Sequence, residues 1–263
     1  MPKCQCEGEK GSERIMPGNI HVGTSGWHYA HWLGPFYPLE LRSQVMLRFY
    51  CQKLGTVEIN NSFYHLPSPE TFRLWKRESP RDFIFAVKAS RYITHMKKLK
   101  NPSASLEKFL LHSGELAEKL GPILFQLPPR WGRDAQRLRE FLQALPKGCR
   151  AAFEFRDPSW FHPQIYSLLE QTRAALCVYE LAGRQSPQVL TSDFGYLRLH
   201  GPAELPYAGR YARGQLRTWL RCCLKWLEEG TKQVFVYFDN DEGGYAAMNA
   251  VELRQMAEGE WPT

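Results

Sequence analysis

No stretch of this 263-residue chain is apolar for long enough to span a bilayer. The first eighteen residues, MPKCQCEGEKGSERIMPG, lack the apolar core of a secretory signal and read as a polar, disordered tail. The seven cysteines (Cys4, Cys6, Cys51, Cys149, Cys177, Cys222 and Cys223) show no paired C-x-x-C spacing. Odd in number and scattered, they give no disulfide framework and fit reduced thiols, so a cytoplasmic protein without a membrane partner is expected. Cys4-x-Cys6 lacks the second ligand pair of a zinc site. No composition break or long linker divides the chain, which leaves one domain over 19–263 behind a tail at 1–18. No G-x-G-x-x-G turn follows the first apolar run; Gly23-Thr24-Ser25-Gly26 does not match one, which argues against a dinucleotide-binding fold.

What is present is enough apolar material for a large core, 43% of residues. The net charge of +7 suits an anionic ligand or a weak nucleic-acid contact. Short β-rich runs at 19–23, 56–60, 83–88, 122–127, 151–156, 176–179, 195–200 and 234–239 alternate with helix-periodic stretches. Helices are expected over 39–54, from Pro69 behind an N-cap at Ser68, and over 104–120, 133–145, 162–173, 213–229 and 245–257. Residues 180–193 read as loop. Eight strands alternating with helices argue a parallel sheet, and at this length the economical closure is a single α/β domain of the (β/α)8 TIM-barrel type. A doubly wound open sheet is the alternative.

Side chains two apart on a strand share a face. That rule sets Glu58 and Asn60 together, against Val57 and Ile59. It places Lys88 with Ala86, Gln126 with Leu124, and Glu154 with Arg156. It groups Tyr196, Arg198 and His200, and then Phe235, Tyr237 and Asp239. The outer face of a barrel strand packs on helices and must be apolar, so these polar groups point inward. They gather toward the C-terminal strand ends, where barrel enzymes place their chemistry. Such groups can simply pair with one another. A buried ion pair, however, is often no more stable than an apolar replacement, so a whole ring of them is read as a ligand cavity.

The blocks VGTSGW (22–27), VEINNSFYHLPSPET (57–71), FAVKASRYITH (85–95), ILFQLPP (123–129), FEFRDPSWF (153–161), LRLHG (197–201) and VYFDND (236–241) resemble the YecE-like family, also called domain of unknown function 72. The resemblance runs in order over about residues 19–257. It implies a TIM-barrel-like fold and brings no reaction with it. Its polar motif positions fall here on Glu58, Asn60, Phe63, Tyr64, Lys88, Gln126, Glu154, Arg156, His200 and Asn240. The chain departs from the usual pattern at Asp157, Asp239 and the turn Gly243-Gly244-Tyr245.

The expected function is an enzyme acting on a small polar or anionic substrate, phosphorylated ones included. Hydrolase, lyase or isomerase chemistry fits best. Lys88, Glu154 and His200 are the expected acid/base groups. Glu58, Asn60, Tyr64, Gln126, Arg156, Arg198, Tyr237, Asp239, Asn240 and Trp27 are the expected substrate contacts. No cofactor is implied. No metal is expected either, because Lys88, Arg156 and Arg198 point into the space that a cation would share. His28-x-x-His31 shows no acidic partner nearby in sequence. The alternatives are a barrel that binds or processes nucleic acid through the basic loop at 91–100, with Lys97, Lys98 and Lys100, and a non-catalytic ligand-binding protein.

Overall fold

A computed structural model of the protein describes residues 19–259, so the expected tail and Cys4-x-Cys6 lie outside the described residues. The alternating apolar runs become β1 (Ile20–Thr24), β2 (Thr56–Ile59), β3 (Ile84–Lys88), β4 (Leu120–Gln126), β5 (Ala151–Glu154), β6 (Ala175–Leu181), the two-residue β7 (Arg184–Gln185), β8 (Phe194–Leu199) and β9 (Gln233–Phe238). All pairing is parallel in the order β1-β9-β8-β6-β5-β4-β3-β2, except that β7 turns back antiparallel on β6. Eight parallel strands thus form a nearly closed (β/α)8 barrel. The helices are α1 (Met46–Lys53), α2 (Pro69–Glu78), α3 (Ser103–Ser113), α4 (Ala135–Ala144), α5 (Pro163–Thr172), α6 (Arg213–Glu228) and α7 (Tyr245–Ala257). The Ser68 hydroxyl caps α2 by accepting from Thr71 N–H at 3.3 Å, and Asp134 caps α4 by accepting from Arg137 N–H at 2.9 Å. Residues 182–193 form no helix, and the β6–β8 crossover is the one that α-helices leave bare. Among the described residues, no helix is long and apolar enough to cross a membrane.

Two cores result from the strand alternation. Val57, Ile59, Phe85, Val87, Phe125, Phe153, Leu197 and Val236 face outward onto the helices. Inside the barrel, Ala86, Leu124, Ala152 and Ala175 leave room for Phe194, Tyr196, Phe235 and Tyr237 from the opposite wall. Three alanines and a leucine on one side therefore match four aromatic rings on the other, and the lower barrel is filled rather than hollow.

The barrel closes at β1 and β2 without a ladder. They meet at one bridge, Ser25 to Glu58, where Gly26 N–H donates to Glu58 C=O at 2.8 Å. Gly23 is required there, since a Cβ would lie 2.1 Å from the Thr56 carbonyl oxygen. The Tyr50 hydroxyl from α1 enters the seam, accepting from Thr24 N–H and donating to Thr56 C=O, each at 3.0 Å. Tyr50→Phe should leave both backbone groups unpaired in a buried place. A loss of about 1–3 kcal/mol in urea denaturation is expected; an unchanged midpoint would show that the phenol is dispensable to closure.

Candidate active site

The polar layer lies above the aromatic filling, and its centre is Arg198. This guanidinium is fully buried and crosses the barrel from β8. It donates to Glu58 Oε1 at 2.8 Å, Glu154 Oε2 at 2.9 Å, Asp239 Oδ2 at 3.0 Å and Ser25 Oγ at 3.0 Å. Each carboxylate is then completed by neighbours. Ser25 Oγ and the Tyr196 hydroxyl donate to Glu58 at 2.5 and 2.7 Å. Gln126 Nε2 donates to Glu154 at 2.8 Å, and Arg156 Nε donates to the same oxygen. The three carboxylates that a cation would need are thus spent on Arg198, and among the described residues no His, Cys, Asp and Glu side chains gather as a metal-binding group of three.

His200 is fully buried at the end of β8. Its Nε2 faces two guanidinium groups, Arg156 at 3.0 Å and Arg198 at 3.3 Å, so it accepts there. Nδ1–H therefore donates to Asp239 Oδ2, 2.9 Å away. Tyr207 lies edge-on over the imidazole at a centroid distance of 5.4 Å and roofs it. Gly201 permits this roof: at its φ of +107° a Cβ would lie 2.2 Å from the Ala208 carbonyl oxygen.

Electrostatics follow from burial and the central charge. Burial alone would raise the Glu154 carboxyl, but Arg156 and Arg198 hold it well below the ordinary carboxylate range. Asp239 is lowered in the same way: Arg198 and His200 outweigh its burial. Lys88 is different. Its side chain is 7% exposed, and its Nζ sits 4.4 Å from the centre of the Phe63 ring. Among the described residues it makes no hydrogen bond, and no carboxylate oxygen lies within 4 Å. Burial, and then the charge of Arg198, pull its pKa down to about 8 against the opposing carboxylates. His95 packs edge-on against the same Phe63 ring at 5.0 Å. Its pKa is pushed down to about 4 by burial and by Lys88, Arg91 and Arg156.

Glu58, Lys88, Gln126, Glu154, Arg156, Arg198, His200 and Asp239 thus converge on one cluster at the C-terminal strand ends. Other expected contacts stand apart. Tyr237 lies deeper, its hydroxyl 2.8 Å from Thr56 Oγ1. Trp27 packs edge-on against Trp75 at 5.0 Å on the helix side of the seam, where Asn60 also lies. Tyr64 is 69% exposed and packs edge-on against the ring of Phe63 at 5.0 Å. Asn240 ties the loop after β8 down, donating to Gly209 C=O at 2.9 Å and Asn249 Oδ1 at 3.1 Å. Four side chains of the cluster and its surroundings were not among the expected acid/base groups and contacts: Ser25, Tyr196, His95 and Tyr207. Extending the period-two rule one residue past β1 finds Ser25, and Tyr196 already shares a face with Arg198. His95 and Tyr207 sit in loops that carry no period. His31 does have an acidic partner, Asp241, at 3.0 Å from the far end of the chain.

A model of the family described as "Protein of unknown function DUF72" matches residues 21–262. The chain belongs to the DUF72 family. It is 28% identical to the UPF0759 protein YunF of Bacillus subtilis over 92% of this chain and 96% of that protein. It is 30% identical to the UPF0759 protein YecE of Escherichia coli over a shorter alignment, 54% of this chain and 50% of that one. A crystal structure of a DUF72 family protein from Thermotoga maritima matches with a TM-score of 0.82 at 28% identity, covering 91% of this chain and 99% of the other. One from Enterococcus faecalis matches with a TM-score of 0.79 at 20% identity, over 93% and 97%, and shows the shared fold. None of these names states a reaction, so for this DUF72 protein the functional reading rests on the site's own chemistry.

Proposed function

We propose that this protein is an enzyme that transfers a proton on a small polar substrate at the barrel mouth, with Lys88 as the acid/base group. The observation that carries this is the state of Lys88. Every other charged group of the cluster is spent on a partner, whereas the Lys88 amine is held beside an aromatic ring with its pKa at about 8. An acid/base group works best when its pKa lies near the working pH. Arg156, with a side chain 9% exposed, and Asp239, at 14%, reach the opening beside it and would orient the substrate. An anionic substituent would meet Lys88 and Arg156 there.

Glu154 and His200 take positioning roles in this reading. Both are sealed, and Glu154 is too strongly held in its ionised form to serve as a proton acceptor. They fix Arg156 and Arg198, and the Arg198 charge adds to burial in holding the Lys88 amine down. In the basic loop Lys97 donates to the Asn101 carbonyl at 2.7 Å and Lys98 leans toward the Trp131 ring at 5.9 Å, so two of its cations are turned onto the protein itself.

The test is turnover of small phosphorylated and carboxylated metabolites, followed across pH. The kcat/KM profile should carry a limb near pH 8. Phe63→Ala, by letting water reach the amine, should move that limb upward toward the ordinary lysine value of 10.5. Wild-type turnover by Lys88→Ala would sink the reading.

A further inference from the structure

A cavity lies on the helix side of the β1–β2 seam. It is open to solvent on one side and has a volume of about 440 Å³, within the range of small-molecule sites. Trp27, Tyr29, Leu47, Leu74 and Trp75 form its apolar walls. Tyr29 divides it from the polar cluster: its hydroxyl donates to the carbonyl of Ser25 at 2.7 Å, the residue whose Oγ holds Glu58. Gly26 makes that wall fit, because at its φ of +87° a Cβ would fall 2.5 Å from the Tyr29 hydroxyl oxygen.

Two features give the cavity a chemical preference. The first is Asn60, at its edge. Among the described residues its side-chain amide has no hydrogen-bond partner, and its Oδ1 is shut away from solvent unpaired. A buried acceptor without a donor costs about 1–3 kcal/mol, and the terminal torsion of an amide side chain is soft. A modest rotation therefore lets Asn60 offer a donor and an acceptor side by side. The second feature is charge. Neither lysine nor arginine lines the cavity; besides the Tyr29 phenol its ionisable residues are His28 and Glu78, and Glu78 is engaged by Arg48 at 3.4 Å. The barrel mouth, by contrast, presents Lys88 and Arg156.

We propose that this seam cavity binds an uncharged planar ring carrying adjacent N–H and acceptor groups, of the nucleobase or aromatic-amide class. The aromatic walls supply stacking and edge contacts, and Asn60 pairs with the polar edge of the ring. The site does not depend on the role given to Lys88.

Saturation-transfer NMR and calorimetry with adenosine, nicotinamide and benzamide test it, with benzoate as the charged counterpart. At least one neutral probe should bind saturably, and benzoate should bind at least about tenfold more weakly. Leu74 is partly exposed, so Leu74→Arg should enter the cavity without disturbing the core. Leu74→Arg and Asn60→Ala should each weaken binding by about tenfold or more while thermal unfolding stays cooperative. Lys88→Met should bind like wild type. The proposal is overturned if none of the three probes binds, if benzoate binds as tightly, or if both cavity variants bind normally. Loss of binding in Lys88→Met alone would place the ring in the barrel mouth and overturn it too.

Discussion

Lys88→Met is expected to stabilise the protein and to remove the proton-transfer activity proposed for it. In the unfolded chain the amine has its ordinary pKa of 10.5, and in the fold it falls to about 8. Below pH 8 it is protonated in both states, and the full cost of burying the charge is present. Between those two values the unfolded chain binds more protons than the folded one, so wild-type stability rises with pH through that window. The shift corresponds to about 3 kcal/mol, offset by about 0.5–2 kcal/mol of attraction to the Phe63 ring. Methionine fills a similar volume without the charge, so the variant should gain about 1–3 kcal/mol at pH 7. That gain should shrink as pH climbs past 8 toward 10.5. Turnover should fall by about 10²–10⁴-fold, the usual worth of a positioned acid/base group. Urea denaturation at pH 7 and pH 10 reads the first effect. A destabilised variant at pH 7 would mean that Lys88 is held by an ion pair and is not a poised amine.

Arg198→Met should have the opposite effect on stability. Arg198 is the common partner of Glu58, Glu154 and Asp239, and its removal leaves buried carboxylates short of a counter-charge. Losing one partner of a buried ion network costs about 3–5 kcal/mol. The pH dependence identifies the cause. In the wild type Glu154 and Asp239 are both lowered by Arg198. Their contribution is present above the unfolded carboxylate values of about 4 and is lost only as pH falls through the lower folded values. Without Arg198, Asp239 loses its main partner and Glu58 keeps only the hydroxyls of Ser25 and Tyr196. The folded pKa of Asp239 should rise, so the gap between wild type and variant should narrow as pH drops below about 4. A gap that is constant with pH in urea titrations would point to lost packing rather than lost charge.

Much of the site was legible because a strand has a period of two. Val57 and Ile59 had to face the helices, which turned Glu58 inward, and the same logic turned Lys88, Gln126, Glu154, Arg198 and His200 inward. Barrel closure then brought these inner faces together. The rule separates the two faces but not depth along the barrel. Tyr237 obeys it and still lies with Thr56, below the polar layer. Past the strand ends the rule lapses, which is why Trp27 and Asn60 came out beside the seam and Asn240 on the loop above β9. His95 was invisible to it, since a π-helical turn over Tyr92–Met96 brings its ring onto Phe63.

The sequence by itself determined the eight-strand order of alternation, the inner and outer faces, and the set of charged groups inside the barrel, because each follows from local period and from the cost of burying polar atoms. Tertiary structure alone decided who pairs with whom. Arg198 and Glu58 are 140 residues apart, and His31 and Asp241 are 210 apart. Which carboxylate a guanidinium reaches depends on the register and closure of the barrel, and no local pattern encodes that. By the same closure every cation of the cluster but one found a carboxylate, and Lys88 was left with an aromatic ring.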